Sequence, residues 1–230
     1  EPVSEIKYVC RNVDIIMARL IKNETVELFG KNATVPFING CDNSYHPCQI
    51  LADALTILEK FGTLDVNLMY IGAKNNVFNS HVEFFSKMKK GTLYGLTPLV
   101  NETACGPDFY EEAKKSGHYI ELDPSMSMEE AKEYANKMDV LYTDTWVDME
   151  FFNNPAYQKQ KEETLAKMMP YQLNGDFTKD SKAIVFHDMP MHVGFEISQD
   201  VVDKNLDHIL DEAENRRHAE KAVMYTLLNS

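Results

Sequence analysis

Phe37-Ile38-Asn39-Gly40-Cys41-Asp42-Asn43-Ser44-Tyr45-His46-Pro47-Cys48-Gln49-Ile50-Leu51-Ala52-Asp53-Ala54-Leu55-Thr56 is the stretch on which the fold turns. A short β-branched and aromatic run, Val35–Asn39, reads as a strand and stops at Gly40. Small polar residues follow, and then Ile50, Leu51, Ala54, Leu55 and Leu58 recur at helical spacing through about Lys60. Asn43 or Ser44 is expected to cap that helix, with Pro47 in its first turn, where its missing N–H costs nothing. A strand, a polar turn and an amphipathic helix make the first two thirds of a βαβ unit.

The same grammar repeats along the chain. Further strands are expected at Val66–Gly72, Thr92–Thr97, Val140–Thr143, Ala183–His187 and His208–Leu210. Helices are expected over Ser4–Leu20, Val77–Lys90, Asp108–Ser116, Ser127–Met138, Pro155–Met168 and Glu212–Leu228. The alternation places the protein in the α/β class, with parallel sheets covered on both faces. Such sheets bind ligands beyond the carboxyl ends of their strands. Four strand-end segments therefore matter most: Asn39-Gly40-Cys41-Asp42, Gly72-Ala73-Lys74-Asn75-Asn76, Asp144-Thr145-Trp146 and His187-Asp188-Met189-Pro190. A boundary between units is expected at Lys60-Phe61-Gly62-Thr63.

Composition narrows the partners. The 230 residues are 44% hydrophobic and 26% charged, with 10 Gly and 9 Pro, the balance of a folded globular chain. A net charge of -13, with only four arginines, argues against nucleic-acid and anionic-membrane surfaces. No apolar run approaches the roughly 18 residues of a membrane span. Cys10, Cys41, Cys48 and Cys105 form no CxxC and no zinc spacing, so neither a disulfide framework nor a metal site is expected, and a reducing cytoplasm is the simpler setting. Dinucleotide, P-loop, zincin and α/β-hydrolase signatures are missing, which leaves a cofactor-free transfer reaction open.

The string from Phe37 to Thr56 resembles the His-Pro-x-Gln helix of the aspartate/ornithine carbamoyltransferase family, in its ornithine-type spelling. Ile71–Val77, Tyr142–Val147, His187–Pro190 and Asp211–Arg216 followed by His218-Ala219 match further family segments in the family's order. The resemblance implies two Rossmann-like parallel-sheet domains: residues 1–61 as part of a carbamoyl-phosphate domain with its linking helix, 62–203 as an acceptor domain, and 204–230 returning to the first domain. It implies transfer of the carbamoyl group of carbamoyl phosphate to the side-chain amine of ornithine or a related amine, and a homotrimer. His46 would donate to the carbonyl oxygen, Gln49 would orient the carbamoyl amide, and Arg19 and Arg216 would hold phosphate and carbonyl charge. Asp188 and Met189 fall in the same carbamoyl-phosphate site. Asn75 or Asn76 and Asp144 would grip the acceptor, with Asp148 and Met149 from the neighbouring loop.

Three departures stand out. Asp188 and Met189 replace Cys and Leu of a His-Cys-Leu-Pro motif, and Asp148-Met149-Glu150 replaces Ser-Met-Gly. Extra carboxylates repel an acceptor's own carboxylate by about a kcal/mol or more in a partly dry site, which favours a diamine over ornithine. The phosphate-gripping Ser-x-Arg-Thr-Arg motif occurs nowhere in the sequence, so a segment preceding Glu1 is expected to carry it. A rival expectation is a homologue that no longer catalyses and serves as a binding or assembly subunit.

Overall fold

The computed structural model describes residues 1–147 and 152–230. Two parallel sheets organise them. The smaller pairs β1 (Ile16–Arg19) with β2 (Phe37–Cys41), flanked by α1 (Pro2–Cys10) and α2 (Asn23–Asn32). From β2 the chain enters α3 (Pro47–Phe61), which Gly62 ends in the left-handed region at φ 70°. Glycine adopts that conformation without a Cβ penalty, so the helix stops where the boundary was expected.

The larger sheet has five strands, all parallel: β3 (Asn67–Lys74), β4 (Thr92–Val100), β5 (Tyr119–Glu121), β6 (Val140–Thr143) and β7 (Ile184–His187), in the order β5-β4-β3-β6-β7. Its helices are α4 (Asn76–Met88), α5 (Pro107–Lys114), α6 (Met128–Ala135), α7 (Gln158–Met168) and α8 (Gln199–Leu228). Side chains alternate between two cores, as a period of two requires. Leu68, Tyr70, Leu93, Val140, Tyr142 and Phe186 face Phe78, Val82 and Phe85 of α4. Met69, Ile71, Leu96, Leu141 and Val185 face Ala131 and Ala135 of α6 and Val201, Val202 and Ile209 of α8. β3 is buried along almost its whole length because both of its faces are covered.

The chain lays down β3, β4 and β5 in one direction and then crosses back to place β6 and β7 on the other side. The order therefore reverses between β3 and β6, which is where open α/β sheets open a crevice.

Three expectations need correction. Ser4–Leu20 is not one helix: α1 stops at Cys10 and Ile16–Arg19 is a strand, because Pro36 and Phe37 offer its backbone a parallel partner. His208–Leu210 is not a strand but lies inside α8, which starts at Gln199 rather than Glu212. The α3 cap is His46, not Asn43 or Ser44. Residue 203, where the sequence reading closes the second unit, lies within α8.

Candidate active site

The site starts with a carboxylate that builds a turn. Asp42, just past β2, accepts backbone N–H bonds from Ser44 and Tyr45 through Oδ1, each 2.7 Å long. Its Oδ2 accepts from the side chains of Asn23 and Asn39 at 2.8 Å. This turn delivers His46 to the start of α3, where Nδ1 accepts the Gln49 N–H at 3.3 Å and the His46 N–H donates to Ser80 Oγ of α4 at 2.8 Å. Burial, with Arg216 and Arg19 close by, pushes the His46 ring down to about 4. The ring is therefore neutral near pH 7, and because Nδ1 accepts, Nε2 carries the proton and is a donor.

Gln49, one turn further on and fully buried, is held at both ends of its amide. Nε2 donates to Asp53 at 2.8 Å and to Glu212 at 2.9 Å, while Oε1 accepts from Arg216. Arg216 also donates to the Asp188 carbonyl oxygen at 2.6 Å, and its buried Nε has no acceptor among the described residues. One guanidinium thus joins α3, α8 and the end of β7.

Across the crevice, Asn75 and Asp144 end β3 and β6. Asn75 Nδ2 donates to Asp144 Oδ2 at 2.6 Å, and its Oδ1 accepts the Phe78 N–H at 3.0 Å, capping α4. Thr145 N–H donates to the other Asp144 oxygen at 2.6 Å. Asn76 turns away, donating to the Asp42 carbonyl at 2.8 Å, so it ties α4 to the His46 turn rather than to Asp144. Thr143 of β6 pairs with His187 of β7, which sets Asp144 and Asp188 side by side. Burial and the Asp144 carboxylate, to which it hydrogen-bonds, push the Asp188 carboxyl well up. It keeps its proton while Asp144 takes the amide and hydroxyl donors around it. Met189 sits in the left-handed region at φ 51°, next to a cis Pro190.

Sequence-expected residues separate cleanly. His46, Gln49, Arg216, Asp188, Asp144 and Asn75 converge. Arg19 is exposed at the end of β1, and its charge reaches His46 and Cys41. Asp148 and Met149 lie outside the described residues. His187, a candidate for direct chemistry, is wholly buried, with Nδ1 accepting the Met189 N–H at 3.1 Å and Nε2 3.4 Å from Glu196. Trp146 is packing, only 2% exposed. Asp53, Glu212 and Ser80 were not anticipated. The one available signal for Asp53 was its place four residues after Gln49, on the same face of α3.

The two-sheet α/β fold thus sets a neutral histidine, a part-buried arginine and a carboxyl pair around one crevice at the strand ends. A family profile described as aspartate/ornithine carbamoyltransferase, Asp/Orn binding domain, matches residues 64–227, and the carbamoyl-P binding domain profile of that family matches residues 3–59. The chain belongs to the aspartate/ornithine carbamoyltransferase family. It is 36% identical to the ornithine carbamoyltransferase of Chlorobaculum tepidum over 222 residues, covering 94% of this chain and 61% of that protein. It is 38% identical to that of Pyrococcus horikoshii over 234 residues, covering 95% and 67%. The structure of the Pyrococcus furiosus ornithine carbamoyltransferase superposes with a TM-score of 0.83 at 33% identity, covering all of this chain and 71% of that one. The 230 residues thus span about two thirds of these relatives' length.

Proposed function

We propose that the protein transfers the carbamoyl group of carbamoyl phosphate to a cationic amine, giving a carbamoylated amine and inorganic phosphate. The observation that carries this reading is the convergence of a neutral His46, the locked Gln49 amide and the part-buried Arg216 on one side of the crevice, facing the Asp144–Asp188 pair on the other. Attack of the amine nitrogen on the carbamoyl carbon forms a C–N bond, the C–O bond to phosphate breaks, and the amine's proton departs with the phosphate. His46 Nε2–H and Arg216 are donors for the oxygen charge that grows on the carbonyl. The Gln49 oxygen retains a lone pair for the carbamoyl N–H, and Arg19 lies at the crevice edge to attract phosphate.

The acceptor side is richer in acid than an amino acid's carboxylate favours. Even with Asp188 protonated the pair keeps one negative charge and offers an acceptor's carboxylate no cation, so a diamine such as putrescine is proposed ahead of ornithine. Incubation with carbamoyl phosphate and each amine, followed by quantitation of the carbamoylated product, tests both parts. A preference for ornithine removes the diamine assignment.

A further inference from the structure

Beneath the crevice lies a buried acid pair to which the reaction above assigns no part. Asp53 on α3 and Glu212 on α8 are 2% and 0% exposed, 159 residues apart in sequence, and joined through the Gln49 amide that both accept from. We propose that Asp53 and Glu212 are positioning residues, which hold the Gln49 amide in a single orientation and tie that orientation to the end of β7.

Gln49 Nε2 has two N–H groups, and both are taken: one by Asp53 Oδ1 at 2.8 Å, the other by Glu212 Oε1 at 2.9 Å. Turning the amide over would set its oxygen against two carboxyl oxygens and its NH2 against the Arg216 guanidinium. Three repulsions would replace three bonds. The Gln49 oxygen is therefore fixed toward Arg216, which is where the carbamoyl group lies on the carbamoyltransferase reading, and the inference rests on that reading for this one point. Glu212 does a second job at the same time. Its Oε2 accepts the His187 N–H at 2.8 Å, so one carboxyl sets both Gln49 and the segment carrying Asp188 and Met189.

Charge explains how two buried acids coexist. Around Glu212 stand Asp53 and Gln49 from α3, Tyr142 from β6, His187 from β7 and Arg216 from α8 itself, with His81 of α4 behind Asp53 at 3.4 Å. Burial holds His81 neutral, down to about 3, so Arg216 is the cation that faces the pair. Two bare carboxylates against one cation out of water would be costly, and burial raises both groups, Glu212 to about 7. With one proton held by the pair its charge is -1, which the Arg216 guanidinium balances.

Selective 15N labelling of glutamine side chains, with Gln49→Leu to assign the resonance, reads the orientation without any assay of turnover. In the wild-type protein the Gln49 NH2 is expected to exchange slowly with solvent and to shift through an inflection near pH 7. In Glu212→Gln, and independently in Asp53→Asn, slow exchange is expected to weaken by about tenfold or more and the inflection to vanish. The kcat for carbamoyl transfer should drop by about 100-fold, with the acceptor KM within about threefold, as misplacement of an orienting group predicts. Unchanged exchange in both folded variants would overturn the proposal. An inflection and slow exchange in a wild-type protein that turns over no amine would support the positioning role and count against the carbamoyltransferase reading alone.

Discussion

His46 shows how a local device makes a reactive group. The residue that caps α3 is also the one proposed to donate, and the capping bond to Nδ1 selects the tautomer with its proton on Nε2. Replacing His46 by Ala removes one donor to a developing oxyanion, so kcat is expected to fall by about 100-fold or more. Steady-state kinetics with carbamoyl phosphate and the preferred amine checks this. The buried histidines and acids also set opposite limbs of the stability curve. Burial chiefly depresses His46 to about 4 and His81 to about 3, so the unfolded chain binds those protons first and stability is lost as pH falls from 6.5. Burial chiefly raises Glu212 to about 7, so the native state binds that proton first and stability is lost as pH rises from 4.5 through 7. Denaturation midpoints across this range should show a maximum on the acid side of neutrality. Glu212→Gln should flatten the alkaline limb only. At this scale His46, Gln49, Asp144 and Asp188 were legible, since polar residues at strand ends and helix starts announce themselves, whereas Arg216, inside α8, was reached only through the family resemblance. Asp53 and Glu212 were not, because a carboxylate in a helix reads as a solvated face until its burial is known.

Among the elements, short apolar runs are where the sequence misleads. His208-Ile209-Leu210 has the composition of a strand, yet Ile209 is simply one core contact on the apolar stripe of α8. Ile16–Arg19 has the opposite history: four residues become a strand only because β2, from 21 positions on, lies alongside. The element boundaries that could be read were those with chemical punctuation, such as Gly62 ending α3 and Ser127, whose hydroxyl and Glu130 partner form a reciprocal cap on α6. Asn75 is a cap that also belongs to the site. Asn75→Ala should cost about 1 kcal/mol, a loss of roughly 2–4 °C in Tm for a chain this long, measurable by calorimetry. It should also weaken acceptor binding, because Asp144 loses its 2.6 Å donor. Gly91 has φ +66°, and a Cβ there would lie 2.3 Å from the Val66 carbonyl oxygen. Gly91→Ala should therefore destabilise by more than about 1 kcal/mol.

For the molecule as a whole, the five-stranded unit covers both of its faces, and the two-stranded unit does not. Tyr8, Val9, Val13, Met17 and Ile21 of the smaller unit are exposed, Ile21 at 83%. Apolar surface of this kind promotes association. In sedimentation the chain is expected to run heavier than its 26.4 kDa, as the trimer implied by the family would, and a well-behaved monomer would contradict this. The α/β class and the strand ends as the place for a site could be read from alternation, but which strands wall the crevice could not. Its walls come from β3 and β6, neighbours in space whose partners Asn75 and Asp144 stand 69 residues apart.

One consequence of α8 concerns how the crevice can open. Its 30 residues make a rod of about 45 Å. Near one end Val201 and Ile209 sit in the core of the large sheet; toward the other, Val223 and Leu227 line an apolar groove with Phe37 and Pro47 of the small unit. A beam seated in both bodies resists bending, and its bonds to α3, Lys60 with Asp211 and Asn215 with Thr56 and Glu59, run along its flank. Opening of the crevice should then leave α3 and α8 moving as one piece, since sliding one along the other would break these lateral bonds and the Gln49–Glu212 bond together.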